Sequence, residues 1–348
     1  VSSVTALAIV GGGEMGISRA VIAKALPSFD VACLVEPQWG VGRIAAKQVG
    51  CAHYRSYARA ASKEHFDAVI VCTPPAGHAE VATQAIDDGK HVLVEKPLCT
   101  SAGDSLGLLR RAEQAGVVHQ VGFDLRFSPT VVEARRILGS GCLGALTYVH
   151  ARSHESRVLA DADRQKRREV QQQGELLPRL GVHIVDLVLS LCGPISSIAA
   201  MGTERYGTGT EDFITAACRF ENGAHGVLDF SWSIPGQDWG GRDLTLGGER
   251  GMLTVTEDEL RIVMAEDTEE FAAGENVVPA TELPTASGFQ WTGKHLAGDL
   301  EAFAAAIGGQ NAHRATFADG YLADLTIEQI YAAARSGRAV QICPEEAV

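Results

Sequence analysis

Between a Val-rich run, Val4 to Val10, and a helical pattern stands Gly11-Gly12-Gly13-Glu14-Met15-Gly16, a G-x-G-x-x-G spacing. No other feature constrains the fold of this chain as tightly. Gly11 permits a sharp turn out of a strand, Gly13 leaves room for a pyrophosphate to approach the backbone, and Gly16 lets strand and helix pack closely. The helix N-terminus, with Glu14 and Met15 in its first turn, then faces the anion. The motif alone is weakly specific, but the second apolar run ends in Glu36, 20 residues after Gly16. A carboxylate at that distance accepts hydrogen bonds from an adenosine ribose. It also repels a 2′-phosphate, so the residues favour NAD over NADP, with Arg43 close enough in sequence to be a phosphate ligand instead.

The rhythm of the first part agrees. Val4 to Val10, Val31 to Val35, Ala68 to Cys72, His91 to Val94 and Val117 to Val121 are short Val-rich runs, most of them separated by helix-like stretches. This is the βαβ pattern of a parallel sheet buried on both faces, and it predicts a doubly wound α/β domain over residues 1–122. Residues 123–348 read differently. Arg152 to Gln173 is polar and charged, holding Arg157, Arg164, Lys166, Arg167 and Arg168 beside Glu155, Asp161, Asp163 and Glu169, which predicts a solvated loop or exposed helix. Gly181 to Leu191 carries apolar residues at helical spacing and is stopped by Gly193-Pro194. From Ile195 to Met264 the pattern is strand-like with turn signals such as Glu221-Asn222-Gly223, which predicts a mostly antiparallel sheet. His295 to Ile307 and Gly320 to Arg335 read as helices, followed by an apolar segment, Ala339 to Cys343.

A net charge of −13 removes the overall positive field that attracts nucleic acid or an anionic membrane. No apolar run reaches the ~18 residues of a bilayer span, and Val1 to Val10 lacks a basic leader region. The eight cysteines are scattered, without a C-x-x-C pair or zinc-like cluster. The expectation is a cytoplasmic protein in a reducing compartment, with no metal site.

Two further motifs carry chemistry. Cys72-Thr73-Pro74-Pro75-Ala76-Gly77-His78 follows a predicted strand at its C-terminal end, where open α/β sheets place ligands. Thr73, Pro74, Pro75 and His78 read either as a stiff loop against a flat cofactor or as a rigid connection capped by His78. Glu95-Lys96-Pro97 follows the next strand, and partial burial there would lower the Lys96 pKa. On spacing alone, an ordinary surface pair is an equal reading.

In this order, the glycine fingerprint, Thr-Pro-x-x-x-His and Glu-Lys-Pro resemble the Gfo/Idh/MocA family of glucose–fructose oxidoreductase, inositol dehydrogenase and relatives. The resemblance continues through Arg126-Phe127-Ser128-Pro129, Gly181-Val182-His183-Ile184-Val185-Asp186-Leu187 and Ser336-Gly337-Arg338. It implies an N-terminal Rossmann domain and a C-terminal α/β domain whose open sheet carries substrate on one side and a subunit contact on the other, in a homodimer or homotetramer. It implies a dehydrogenase acting on CH–OH groups of a sugar, cyclitol or related small molecule. Lys96 would be principal acid/base near the nicotinamide, and His183 the second proton-transfer group.

The family expects Asp four residues before that His, and this chain has Arg179. Three readings stand. Arg179 binds an anionic substrate group, it points away, or the site has lost ordinary alcohol oxidation. Asp124 and Arg126 read as nicotinamide or substrate contacts, or as ties between the two domains; Asp186 reads as structural. The competing functions are a redox-neutral, NAD-dependent glycoside-cleaving enzyme and a non-catalytic NAD(P)-binding sensor.

Overall fold

The computed structural model describes residues 4–157, 174–237, 241–284 and 294–345. They divide into two compact units: the described residues of 1–127 and 285–324 form one, and those of 128–284 and 325–345 the other.

The first unit is built on six parallel strands in the order β3-β2-β1-β4-β5-β6. They are β1 Thr5–Val10, β2 Phe29–Val35, β3 Ala52–Tyr54, β4 Ala68–Val71, β5 His91–Val94 and β6 His119–Val121. Every residue of β4 is buried, as a central strand covered on both faces requires. Helices α1 Glu14–Ala25, α2 Trp39–Val49, α3 Tyr57–Ala61, α4 His78–Asp87 and α5 Ala102–Ala115 connect the strands. The strand order reverses between β1 and β4, whose C-terminal ends carry Gly11 and Cys72-Thr73, the place where such sheets bind ligands.

Residues 294–324 lie beyond the expected boundary at 122/123, yet they group with this unit. The core explains it: Leu300 and Phe303 of α8 (Lys294–Ile307) pack with Leu7, Ile9, Ile70 and Leu93. The following helix, α9 (Phe317–Ser336), starts three residues earlier than its apolar spacing predicts. Asp319 accepts hydrogen bonds from the Thr316 N–H and hydroxyl, both at 2.7 Å, so Thr316-Phe317-Ala318-Asp319 caps the first turn.

The second unit holds α6 (Pro129–Ser140), α7 (Val182–Cys192) and a nine-stranded sheet. Its strands are β7 Leu146–His154, β8 Ile195–Thr203, β9 Phe213–Phe220, β10 His225–Ser231, β11 Gly241–Gly248, β12 Gly251–Val255, β13 Glu259–Met264, β14 Gly274–Pro279 and β15 Val340–Gln341. They run in the order β14-β13-β12-β11-β7-β10-β9-β8-β15, and among the described residues β7 with β10 is the one parallel pairing of this sheet.

One expectation is corrected. Arg152, Ser153 and His154 belong to β7, near the middle of this sheet, and not to a loop. The polar texture hid a period of two: Val149, Ala151 and Ser153 are fully buried, while His150, Arg152 and His154 point to the other face. Residues 158–173, with Arg164, Lys166, Arg167 and Arg168, lie outside the described residues.

Candidate active site

At the C-terminal end of β1 each glycine has its own reason. Gly11 has φ 114°, and a Cβ there would stand 2.3 Å from the Cys72 carbonyl oxygen; a Cβ on Gly16 would stand 1.9 Å from the Gly11 carbonyl oxygen. Gly13 faces open space, with nothing within 4 Å of where its Cβ would be. It caps α1 without a side-chain hydrogen bond, and Glu14 and Met15 sit exposed beside it. Glu36 closes the loop: its Oε2 accepts from Gly12 N–H and its Oε1 from Gln38 N–H, each at 2.9 Å. A Cβ on Gly12 would lie 3.0 Å from the Glu36 Cβ and Cγ, so this variable position of the fingerprint is also set by the site. Across the loop, the Thr73 hydroxyl oxygen is buried with no hydrogen-bond partner. An open approach over Gly13, free helix N–H groups and an orphaned hydroxyl fit a dinucleotide whose adenosine ribose reaches Glu36. Arg43 lies on α2 with its guanidinium 4.7 Å from the Trp39 ring centroid.

His78 joins two turns of the site. It is 1% exposed, with Nδ1 2.8 Å from the Pro97 carbonyl oxygen and Nε2 2.8 Å from that of Thr73. The ring ties the Thr73-Pro74-Pro75 turn to the Lys96-Pro97 turn, whose peptide bond is cis.

Beneath Lys96 lies a buried charge network. Arg19 of α1 donates from Nε to Glu95 Oε1 at 2.8 Å and places Nη2 2.7 Å from the same oxygen, while its Nη1 pairs with Asp299 of α8. Gln120 holds the other Asp299 oxygen at 2.7 Å, and the free Glu95 oxygen accepts the Lys96 N–H at 3.3 Å. Glu95 is thus buried and supports the Lys96 backbone. Burial alone would loosen the Arg19 proton, but Glu95 and Asp299 outweigh it and hold the guanidinium charged. Burial pushes the Asp299 carboxyl up to about 6 against the pull of Arg19. Asp124 is raised too, by burial first and by Glu95, with Arg19, His295 and Lys96 opposing. Gly122 is fixed by this network, since its Cβ would stand 2.5 Å from Arg19 Nη2.

Neither Arg19 nor Asp299 stood out in the sequence. The legible signal was Arg19 on the buried stripe Gly16, Arg19, Ala20, Ala23 of α1, where a lone charge needs a partner. Arg126 is 2% exposed and gives its Nη2 to Asp319 Oδ1 at 2.9 Å, so it braces the start of α9.

In the second unit, Leu177–Gly181 forms a single π turn that runs into α7. Such turns recur at functional sites. This one carries Arg179, and His183 stands in the first turn of α7, both half-buried. The Tyr331 hydroxyl accepts the Leu177 N–H at 3.2 Å and anchors the turn. Burial, and then the neighbouring Arg157, loosen the Arg179 proton against the pull of Glu155. Asp186 is 1% exposed, inside the packing of α7.

The family model for the oxidoreductase family with an NAD-binding Rossmann fold matches residues 5–123, and that for the GFO/IDH/MocA C-terminal domain matches residues 131–254. This chain belongs to the Gfo/Idh/MocA oxidoreductase family. Among its relatives is scyllo-inositol 2-dehydrogenase (NAD(+)) of Bacillus subtilis, 26% identical over 66% of this chain and 67% of that protein. D-xylose 1-dehydrogenase (NADP(+)) 2 of Haloferax volcanii is 25% identical over 96% of this chain and 98% of its own. A levoglucosan dehydrogenase solved with NADH and levoglucosan shares the fold at a TM-score of 0.87 and 21% identity, over 98% of this chain and all of that one. Like other Gfo/Idh/MocA members, the chain is an NAD(P)-dependent oxidoreductase with a Rossmann sheet followed by a mostly antiparallel one.

Proposed function

We propose that this chain is a dehydrogenase that oxidises a hydroxyl-bearing carbon of a sugar, cyclitol or related small molecule, reversibly, with NAD as the preferred cofactor. The observation that carries the reading is the support built under Lys96. Glu95, anchored by buried Arg19, accepts the Lys96 N–H, and such an investment in one backbone position suits a residue that must meet a reacting atom.

Gly11, Gly12, Gly13 and Gly16 with Glu36 hold the dinucleotide, and Thr73 to Pro75 form the wall across the glycine loop. NAD, when bound, supplies the hydride acceptor for the carbon that loses its hydroxyl proton. Lys96 takes that proton and returns it in the reverse direction; His183 is the second proton-transfer group. The unit built on the parallel sheet binds cofactor, and the one built on the nine-stranded sheet supplies substrate residues and the subunit contact. Tyr148, Met201 and Met252 are 46, 77 and 40% exposed on strands of the large sheet, which supports a homodimer or homotetramer. The scattered free thiols suit a cytoplasmic setting.

The test is NADH formation by purified protein with NAD or NADP against a panel of sugars and cyclitols. Turnover with NAD, lost in Lys96→Ala while NADH still binds, supports the reading. Tight NADH binding without turnover of any hydroxyl compound overturns it and leaves a sensor or a redox-neutral enzyme.

A further inference from the structure

Helix α2 opens on an exposed tryptophan close to Glu36. Trp39 is 57% exposed, whereas Trp232 is 1% exposed. Single exposed apolar side chains are common, and this ring gains its meaning from what lies on it and from where it stands. The Arg43 guanidinium carbon, one helical turn further along α2, is 4.7 Å from the ring centroid. Arg43 is exposed as well, and among the described residues it forms no ion pair.

The segment that carries this pair is held by β3 and the residue after it. The Glu36 N–H donates to the Tyr54 carbonyl oxygen at 2.9 Å, His53 Nε2 lies 2.9 Å from the Glu36 carbonyl oxygen, and Arg55 Nε donates to the Pro37 carbonyl oxygen at 3.1 Å. Gly42 lets the first turn of α2 close on this support, since a Cβ there would stand 2.1 Å from His53 Nε2. Trp39 and Arg43 therefore stand at a defined place beside the glycine loop.

Glu36 says what that place faces. Its carboxylate takes the Gly12 N–H on one oxygen and the Gln38 N–H on the other, and each oxygen keeps a lone pair for a ribose hydroxyl. The Trp39 Cα, one residue beyond Gln38, lies at most about 8 Å from the second oxygen. In a dinucleotide the adenine is bonded to C1′, next to the carbon bearing the 2′-hydroxyl, and the pyrophosphate leaves the same ribose from its opposite end. With the pyrophosphate over Gly13 and the ribose on Glu36, the base is turned away from the glycine loop, to the side where Gln38 and Trp39 follow.

We propose that the adenine of the cofactor stacks on the Arg43 guanidinium, with Trp39 behind it as the platform that holds the guanidinium in place. A guanidinium is planar, weakly hydrated and attracted to π faces, so it can lie between an indole and a purine. Arg43 touches the cofactor; Trp39 is a positioning residue that acts through it. Arg43 is thereby committed to the base, which NAD and NADP share, and not to a 2′-phosphate, which Glu36 repels. This inference rests on the reading of NAD as the cofactor.

The experiment titrates NADH, NADPH and ADP-ribose into the full chain by calorimetry, as wild type and as Trp39→Leu, Trp39→Phe, Arg43→Leu and Arg43→Lys. The expected result is that Trp39→Leu and Arg43→Leu raise the Kd of NADH and of ADP-ribose by the same factor, at least ~5-fold. Trp39→Phe keeps a ring and should retain most of the affinity. Arg43→Lys keeps the charge and loses the plane, so it should lose as much as Arg43→Leu. Saturating ADP-ribose should also change the tryptophan emission of wild type, and Trp39→Leu should lose that change. Without ligand, the thermal midpoint should stay within ~2 °C in every variant, because both side chains are exposed. Affinities unmoved in both Leu variants, with wild type binding NADH, overturn the inference and leave the cofactor reading intact; a changed sedimentation coefficient in those variants would then make the ring a subunit contact. Arg43→Lys binding like wild type would make Arg43 a point charge for the phosphates and overturn the stacking. NADPH binding as tight as that of NADH, weakened alone by Arg43→Leu, would make Arg43 a 2′-phosphate ligand and overturn it as well. A wild type that binds neither NADH nor ADP-ribose overturns the cofactor reading and the inference with it.

Discussion

Arg19 Nη2 lies 2.7 Å from Glu95 Oε1, with the Arg19 side chain fully buried and that of Glu95 9% exposed. Removing the cation leaves Glu95 and Asp299 buried beside one another without their partner. Arg19→Met should therefore destabilise the protein by ~3–5 kcal/mol, the usual cost of orphaning one member of a buried ion pair. Replacing all three, Arg19→Met with Glu95→Gln and Asp299→Asn, should recover much of that loss, because no buried charge is then left alone. Equilibrium urea unfolding measures both, and an Arg19→Met variant within ~1 kcal/mol of wild type would contradict the structural role given to the network.

The same network predicts a pH dependence. Asp299 holds its proton up to about pH 6 in the folded chain, against an ordinary value of 3.8. A carboxyl raised in this way binds its proton more tightly when folded than when unfolded. Its contribution to stability is complete below pH 3.8 and is lost as pH rises through about 6, amounting to ~3 kcal/mol for a shift of about two units. The groups facing it are Arg19 and Gln120, with Glu95 and Asp124 close by. The unfolding free energy of wild type minus that of Asp299→Asn should thus fall between about pH 4 and pH 7. A flat difference across that range would remove the proton from Asp299.

The parts of this molecule that sequence could show are those where one residue type answers one local demand. Gly11, Gly13 and Gly16 follow from a turn, an approach and a packing contact, and the Val-rich runs follow from burial on both faces. What stayed hidden needed partners far away in the chain. Arg19 is explained by Glu95 and Asp299, 76 and 280 positions on, and no local pattern announces such a pairing. The strand β7 stayed hidden because its open face carries His150, Arg152 and His154, which read as a polar run until its partners β10 and β11 are known. Strand β3 has three half-buried residues at a sheet edge, too few to show any period. His78 was legible as important, but its contact with the Pro97 carbonyl, 19 positions on, was not.

His78 bridges two backbone carbonyls, so its loss should be felt by the loops before the fold. His78→Phe keeps the volume and removes both contacts. The expected outcome is faster amide hydrogen exchange in residues 73–77 and 96–98, with an NADH Kd raised more than tenfold and global stability lowered by ~1–3 kcal/mol. Unchanged exchange in both loops would deny the bridging role.

Gly12 and Gly16 separate binding from folding. A Cβ at position 12 meets the Glu36 side chain at 3.0 Å, which yields by a shift of the carboxylate, whereas one at position 16 meets a backbone oxygen at 1.9 Å. Gly12→Ala should weaken NAD binding by about 3- to 10-fold, up to ~1.4 kcal/mol, and leave the thermal midpoint nearly unchanged. Gly16→Ala should lower the midpoint itself, because helix α1 must move from β1. Fluorescence titration and thermal unfolding, run on both variants, check the contrast.

Tyr331 is 4% exposed, and burial drives its hydroxyl pKa well up, so the ring stays neutral and its oxygen accepts the Leu177 N–H. That N–H sits at the start of the π turn bearing Arg179, in a place where water cannot replace the lost acceptor. Tyr331→Phe leaves the donor unsatisfied at a cost of ~1–3 kcal/mol. An α-helical rearrangement of Leu177–Gly181 would relieve part of it and turn Arg179 away from Arg157 and Glu155. The variant should therefore exchange the amides of Leu177–Gly181 faster without any change in NADH binding, since the glycine loop and Glu36 are untouched. Amide hydrogen exchange and NADH fluorescence on the same preparation test it. Faster exchange throughout the chain together with weaker NADH binding would mean that the tyrosine supports the fold in general and not the π turn.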